Sequence, residues 1–260
     1  MWDPDQYRRY AAERDRPFHD LLAQVPSEAP RTVADLGCGP GNLTATLAQR
    51  WPGARVTGVD SSAEMLAQAA ALARPRRLDF VQADLREWRP EAPLDLLVSN
   101  AALQWVPDHE SLLPHLAALV APGGWLAFQM PRNFDSPSHT LLAEMRSGAR
   151  WAARLQDLRG EPETTALLRQ DSAWYAGRLS ALGFAVNAWE TEYLHLLPGE
   201  DAVLEWVKGT ALRPVLAALD ETERPAFLAE YGARLRATYP AQPFGTPFPF
   251  RRLFVVARRR

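Results

Sequence analysis

The stretch Val33-Ala34-Asp35-Leu36-Gly37-Cys38-Gly39-Pro40-Gly41-Asn42 decides how this chain folds. It opens with apolar residues, carries glycine at every second position of its latter half, and is followed by the helix-compatible run Leu43–Arg50. That order predicts a strand, a tight turn and a helix. Glycines let the backbone turn sharply and let a ligand approach bare N–H groups, and a helix N-terminus adds partial positive charge. The stretch therefore predicts a cradle for a nucleotide-like ligand.

The spacing of these glycines excludes the usual dinucleotide fingerprint. They fall as G-x-G-x-G, whereas dinucleotide folds use G-x-G-x-x-G. Asp35, just ahead of the first glycine, would also repel a pyrophosphate. A carboxylate suits a ligand with positive charge at that point, and S-adenosylmethionine carries both an ammonium and a sulfonium. We expect S-adenosylmethionine as the cofactor.

A second acidic position lies at the end of the next predicted strand, Arg55–Asp60. Asp60 follows Gly41 by 19 residues, close to the ~20 expected for an acidic residue that binds a ribose. Ser61 and Ser62 then begin the next helix as capping residues. The spacing predicts that Asp60 accepts hydrogen bonds from both ribose hydroxyls.

Two further strand ends complete a polar rim. Predicted strands at 78–84 and 94–100 end in Asp84 and Asn100, and a fifth strand, 125–130, follows a helix at 111–120 that we expect Pro122-Gly123-Gly124 to end. Ligands of parallel sheets bind at the carboxyl ends of the strands. Asp84 alternatively reads as an ordinary turn residue.

Beyond residue 131 the strand and helix alternation gives way to two helical insertions, 135–178 and 199–239, on either side of a sixth strand at 185–197. A seventh strand follows at 253–257. We predict an α/β, Rossmann-like, seven-stranded mixed sheet with its last strand antiparallel. The single domain, 1–260, would have a core at about 27–134, 179–198 and 250–258, a helical cap at about 135–178 and 199–245, and an N-terminal helix, 1–26, that covers the site.

Composition narrows the function. At 47% hydrophobic, the 260 residues bury a sizeable core, and the net charge of −2 argues against a nucleic-acid partner. The single cysteine, Cys38, cannot form an internal disulfide and indicates a cytoplasmic protein. Proline and glycine interrupt the longest apolar region, 112–128, so we expect no membrane span. No cluster of His or Cys residues has the spacing of a metal site, so we expect no metal. We also expect a monomer.

Asp35 to Gly41 resembles the first motif of the class I S-adenosylmethionine-dependent methyltransferases. Segments such as Gln104-Trp105, Leu212-Arg213-Pro214 and Arg252-Leu253-Phe254 are similar to those of members that methylate a carboxylate of a small polycarboxylic acid such as trans-aconitate. The resemblance implies that Asp84 faces the adenine amino group and that Leu85 offers its N–H. The predicted cofactor-binding residues are Asp35, Gly37, Gly39, Gly41, Asp60, Ser61, Asp84, Leu85, Asn100, Gln104 and Trp105.

Methyl transfer to a carboxylate needs no catalytic base, because the acceptor oxygen is already an anion. Recognition then depends on arginines, whose planar guanidinium groups bind carboxylates through two hydrogen bonds. Aromatic faces such as those of Trp105 and Tyr7 can hold the sulfonium. Arg132 stands where this resemblance implies an acidic residue. The predicted substrate-binding residues are Trp2, Tyr7, Arg132, Tyr193, Arg213 and Arg252.

Other readings of the site stay open. The acceptor could be a carrier-bound malonyl group or a ring carbon. If the acceptor were a hydroxyl or a carbon acid, His195 would serve as the general base. A structural role for His195 is the alternative. The chain could also be a non-catalytic cofactor-binding module or, against the glycine spacing, a nicotinamide dehydrogenase.

Overall fold

The computed structural model describes residues 11–155, 158 and 170–260. Of the N-terminal segment, it shows the helix α1, Ala11–Ala23, in which Phe18, Leu21 and Leu22 are buried. Trp2 and Tyr7 lie outside the described residues.

A seven-stranded sheet forms the centre of the fold. Its order is β3-β2-β1-β4-β5-β7-β6. The pairs β1–β2, β2–β3, β1–β4 and β4–β5 are parallel, and β7 is antiparallel to β5. The predicted mixed sheet with an antiparallel last strand is therefore confirmed. The strands are β1 Thr32–Leu36, β2 Arg55–Asp60, β3 Leu78–Gln82, β4 Leu94–Asn100, β5 Val120–Pro131, β6 Phe184–Leu197 and β7 Thr246–Arg259.

Helices connect these strands. Ser62 caps the helix Ala63–Ala69, as predicted, because its hydroxyl accepts the Met65 N–H at 3.2 Å. One-turn 3₁₀ helices occupy Ala70–Leu72 and Leu103–Trp105. The remaining described helices are α2 Asn42–Arg50, α3 Ala63–Ala69, α4 His109–Leu119, α5 Pro137–Ser147, α6 Ala152–Leu155, α7 Ser172–Ala181, α8 Ala202–Lys208, α9 Arg213–Ala218 and α10 Glu223–Thr238.

The predicted end of the helix before Pro122-Gly123-Gly124 is confirmed to within one residue, but the predicted start of the fifth strand, at residue 125, is wrong. Helix α4 ends at Leu119 and β5 begins at Val120, so these three residues lie within the strand. Leu94 pairs with Val120 whereas Leu96 pairs with Trp125, which makes the proline and glycines an irregularity in the β4–β5 register. Proline and glycine often end helices, but in this strand they interrupt the pairing with β4.

Two other strand boundaries differ from the prediction. Strand β3 ends at Gln82, two residues before Asp84. Strand β7 begins at Thr246, because Phe248 and Phe250 are buried while Pro249 points outward and needs no partner for an N–H. The prolines hid this part of the strand in the sequence.

The described residues form two compact units. The sheet unit comprises 15–131, 170–191 and 252–260, and the helical unit comprises 11–14, 132–155, 158 and 192–251. Leu97, Phe128 and Val255 belong to the core of the sheet unit, and Trp206, Phe227 and Phe248 to the core of the helical unit. The predicted boundaries between core and cap stay a prediction.

Candidate active site

The glycine turn after β1 is left-handed at all three glycines, with φ of 75°, 55° and 80° at Gly37, Gly39 and Gly41. A Cβ at Gly37 would lie 2.2 Å from the Cβ of Ala102, and one at Gly41 would lie 2.6 Å from the ring of Phe80. A Cβ at Gly39 would meet nothing within 4 Å. Gly37 and Gly41 thus permit close packing, whereas Gly39 leaves open space beside the turn.

The amides of this turn bond to the protein, so the prediction that they offer bare N–H groups is wrong. Gly37 and Cys38 donate to the carbonyl of Val59 at 2.8 and 3.1 Å, and Gly41 donates to the carbonyl of Cys38 at 3.1 Å. Gly39 donates to Asp60 Oδ2 at 2.8 Å. These bonds fix the turn against the end of β2, a tertiary contact that the local sequence does not show.

The Asp60 carboxylate links the glycine turn to the next helix. Its Oδ2 accepts from Gly39 and its Oδ1 accepts from the Ser62 N–H at 2.9 Å. A carboxylate oxygen accepts more than one hydrogen bond, so both oxygens keep capacity for a ligand. This fits the ribose-binding role predicted for Asp60, with Ser61 beside it.

Asp35 is a buried carboxylate with one unsatisfied oxygen. Thr44 Oγ1 donates to its Oδ2 at 2.6 Å, and Oδ1 has no hydrogen-bond partner among the described residues. Burial raises the pKa of Asp35 to about 6, against a lowering by the Thr44 hydrogen bond and with a further raising by the Asp60 charge. A buried acceptor in this state is suited to a cationic ligand group.

Cys38 fills space within the turn. Its side chain is buried, and a Cβ at Gly58 would lie 3.0 Å from its Sγ. Burial, together with the Asp35 and Asp60 charges, raises the pKa of this thiol above its usual range. A thiol that stays protonated is a poor nucleophile.

Asp84 and Leu85 follow β3. Two carboxylate oxygens of Asp84 accept from the Arg86 guanidinium, and this hydrogen bonding holds the pKa of Asp84 below its usual range. Its Oδ1 also accepts from the Arg86 backbone N–H at 2.9 Å, which makes Asp84 a turn residue as well. The Leu85 carbonyl accepts from His115 Nε2 at 3.1 Å. Their contact with adenine stays a prediction.

The segment after β4 carries Gln104 and Trp105. Ala101 takes a left-handed φ of 52°, and Gln104 Nε2 donates to its carbonyl at 2.6 Å. Gln104 Oε1 is buried and has no partner among the described residues, whereas Trp105 is 66% exposed. One unsatisfied oxygen and one bare aromatic face are therefore available here.

His109 is hydrogen-bonded to this segment, a contact that the sequence did not predict. Burial lowers the pKa of His109, so its neutral ring donates from Nε2 to the Leu103 carbonyl at 2.8 Å. The Tyr175 hydroxyl lies 2.5 Å from the other ring nitrogen, Nδ1. His109 lies two residues before the predicted helix 111–120, and nothing in the local sequence indicates its contact with a residue 66 positions along the chain.

Arg252 and Asn100 are joined through Gln129, a second residue that sequence reasoning missed. Arg252 is 4% exposed and donates from Nη1 to Gln129 Oε1 at 3.1 Å. Gln129 Nε2 donates in turn to Asn100 Oδ1 at 2.5 Å. A lone glutamine in the apolar strand β5 was the available signal, because a buried polar residue needs a partner.

The other predicted substrate residues belong to the helical unit. Tyr193 is buried and its ring stacks on His195, which stacks on Trp206 with ring centroids 4.9 Å apart. Arg132 is half-buried at the end of β5, where its backbone N–H donates to Arg251. Arg213 is exposed at the first position of α9. Their contact with a substrate stays a prediction.

The sheet order and the glycine turn define a Rossmann-like fold, and residues 33–124 match the model of a methyltransferase domain. The fold is similar to that of Haemonchus contortus phosphoethanolamine N-methyltransferase 2 in complex with S-adenosyl-L-methionine, at TM-score 0.53 and 17% identity. That match covers 94% of this chain and 53% of the other, so the chain spans about half the length of that structure.

Sequence relatives define the family more narrowly. The trans-aconitate 2-methyltransferase of Streptomyces avermitilis is 55% identical, over 99% of this chain and 97% of that protein. The enzyme of the same name from Rhodococcus jostii is 49% identical over 99% of both chains. This chain belongs to the trans-aconitate 2-methyltransferase family.

Among the residues that the structure describes, no helix is long and apolar enough to cross a membrane. Within the same residues, no group of three or more His, Cys, Asp or Glu side chains is placed to hold a metal ion.

Proposed function

We propose that this chain transfers the methyl group of S-adenosylmethionine to a carboxylate of trans-aconitate and gives a monomethyl ester. The family relationship carries this proposal, since 55% identity extends over 99% of the chain to a protein named for that reaction. The open space at Gly39 and the unsatisfied oxygen of Asp35 are compatible with the cofactor.

We assign residues of the sheet unit to the individual groups of the cofactor. Asp60 and Ser61 would hold the ribose, Asp84 and Leu85 the adenine, and Asp35 the ammonium. The glycine turn would leave room for the cofactor beside Gly39, and Gln104 Oε1 and the Trp105 face would meet polar and cationic parts. When bound, the cofactor supplies an electrophilic methyl group on a sulfonium.

On the acceptor side, this chain needs no residue to remove a proton. A carboxylate is ionised at neutral pH, so the protein's task is to bind, orient and desolvate it. We assign that task to Arg132, Arg213 and Tyr193, together with Trp2 and Tyr7. Arginine suits this role because its planar donors match a carboxylate. Arg252 stays a predicted substrate-binding residue, although its guanidinium is buried against Gln129.

We also propose that the protein acts in the cytoplasm as a monomer without a nucleic-acid partner. One cysteine and a net charge of −2 support this assignment. Light scattering after size-exclusion chromatography measures the mass directly, and a mass near twice 29.0 kDa would contradict the monomer.

The deciding experiment is methyl transfer from labelled S-adenosylmethionine to a panel of di- and tricarboxylic acids that includes trans-aconitate, with cofactor binding followed by calorimetry. We expect transfer to trans-aconitate and none to its trimethyl ester. Tight cofactor binding without transfer to any acid would overturn trans-aconitate as the methyl acceptor and favour a carrier-bound or carbon acceptor. Binding of NADH in place of S-adenosylmethionine would overturn the class.

A further inference from the structure

Three side chains of the sheet unit form a continuous hydrogen-bonded relay across β7, β5 and β4. It runs from Arg252 Nη1 to Gln129 Oε1, 3.1 Å, and from Gln129 Nε2 to Asn100 Oδ1, 2.5 Å. Gln129 is fully buried and Arg252 nearly so, whereas Asn100, the last residue of β4, is half-buried. The relay therefore leads from the interior to the carboxyl edge of the parallel strands.

The guanidinium fixes the direction of every hydrogen bond in this relay. Arginine has donors only, so the end of the Gln129 amide that faces it must be the oxygen. The nitrogen end of Gln129 then faces Asn100 and requires an acceptor, which is Asn100 Oδ1. Asn100 consequently turns its amino group, Nδ2, away from the relay.

That amino group is the end of Asn100 that remains for a ligand. Among the described residues, Nδ2 of Asn100 makes no hydrogen bond, and it carries two N–H donors. A donor at a strand end suits an anionic oxygen and would leave an ammonium or amine without an acceptor. Both the proposed acceptor and the methionyl part of the cofactor offer a carboxylate.

We propose that Arg252 and Gln129 are positioning residues that hold Asn100 as a hydrogen-bond donor to a carboxylate, of the acceptor or of the cofactor. This inference rests on the proposed function for the identity of those carboxylates. It gives Arg252 a different role from the substrate contact predicted from the sequence. The Arg252 guanidinium acts through Gln129 and sets which atom of Asn100 faces the ligand.

The variant Gln129→Glu tests this polarity. Glutamate has acceptors only, so it keeps the bond to Arg252 but forces Asn100 to turn its amino group inward and its oxygen outward. We expect a rise of about tenfold or more in the KM for trans-aconitate or in the Kd for the cofactor. A rise in KM alone assigns the acceptor carboxylate, and a rise in Kd assigns the cofactor carboxylate. The matched control is Gln49→Glu, at an exposed position of α2.

Two further variants separate polarity from packing. Arg252→Lys keeps a donor toward Gln129, whereas Arg252→Met removes it. We therefore expect the rise in KM or Kd to be at least threefold smaller in the lysine variant than in the methionine variant. Asn100→Asp places an acceptor oxygen at the edge while the Gln129 bond remains, and should show the same rise as Gln129→Glu. Asn100→Asp also tests the direction of these hydrogen bonds if Gln129→Glu does not fold. Folded Gln129→Glu and Asn100→Asp proteins with both constants within threefold of wild type would overturn the relay.

A readout that does not need the acceptor distinguishes this inference from the proposed function. Hydrogen exchange of the Asn100 side-chain amide, followed by NMR on ¹⁵N-labelled protein, should slow severalfold in Gln129→Glu because Nδ2 gains a partner there. Equal exchange in both proteins would overturn the assigned direction. Failure of wild-type protein to methylate trans-aconitate would instead overturn the proposed function and leave this measurement valid.

Discussion

At the scale of single residues, Asp35 shows how a site can cost stability. Its pKa of about 6 lies above the ordinary 3.8, so the folded protein holds this proton more tightly than the unfolded chain does. The charged form therefore destabilises the free protein above about pH 6, and the effect disappears below about pH 4. The same unsatisfied oxygen is what a cationic ligand would use.

We predict that Asp35→Asn stabilises the ligand-free protein at pH 8 by roughly 1–3 kcal/mol and weakens cofactor binding. Asparagine still accepts from Thr44 but carries no charge. Urea unfolding at pH 8 and pH 4 measures the difference, which should shrink at the lower pH. A variant that unfolds more easily than wild type at pH 8 would contradict a destabilising role for the Asp35 charge.

Arg213 allows a test of acceptor recognition at the same scale. We predict that Arg213→Ala raises the KM for trans-aconitate about tenfold and leaves the cofactor Kd unchanged, because a charged hydrogen-bond donor is lost. The control is Arg234→Ala, which removes an exposed arginine of the helical unit that pairs with Glu144 and Glu230. Unchanged acceptor kinetics in Arg213→Ala would remove this residue from the acceptor set.

At the scale of elements, the turn between β1 and α2 assigns different tasks to its glycines. Gly37 and Gly41 sit against Ala102 and Phe80, whereas Gly39 borders open space. All three share a left-handed φ, which side-chain-bearing residues rarely adopt. Packing and ligand space are thus separable by mutation within five residues.

We predict that Gly37→Ala destabilises the fold by about 2–4 kcal/mol, since its Cβ would overlap Ala102. Gly39→Ala should cost only about 1 kcal/mol from backbone strain, yet lower cofactor affinity by filling the open space. Thermal melts and calorimetry on both variants test this, with Gly53→Ala as control because a Cβ there meets nothing within 4 Å and its φ is not left-handed. Normal cofactor affinity in Gly39→Ala would place the ligand elsewhere.

At the scale of the whole molecule, a ligand that binds only the folded state should stabilise the protein against unfolding. We predict that S-adenosylhomocysteine at a hundred times its Kd adds about 2.7 kcal/mol and raises the melting temperature by about 5–10 °C. Asp60→Ala should lose most of this rise at the same ligand concentration. The control Asp79→Ala removes a carboxylate of β3 that pairs with Arg55 and should keep it. An equal rise in both variants would contradict the role of Asp60.

The sequence by itself determined the strand, turn and helix around Gly37, the spacing to Asp60, the strand 94–100 and the mixed sheet. These follow from local patterns of apolar residues, glycines and capping groups. The tertiary structure decided that the amides of Gly37, Cys38 and Gly39 are bonded to β2, that Pro122-Gly123-Gly124 lie inside β5, and that Arg252 holds Gln129, 123 residues away in the chain. Which polar atoms stay unsatisfied depends on neighbours brought together by folding, and a local pattern carries no information about them.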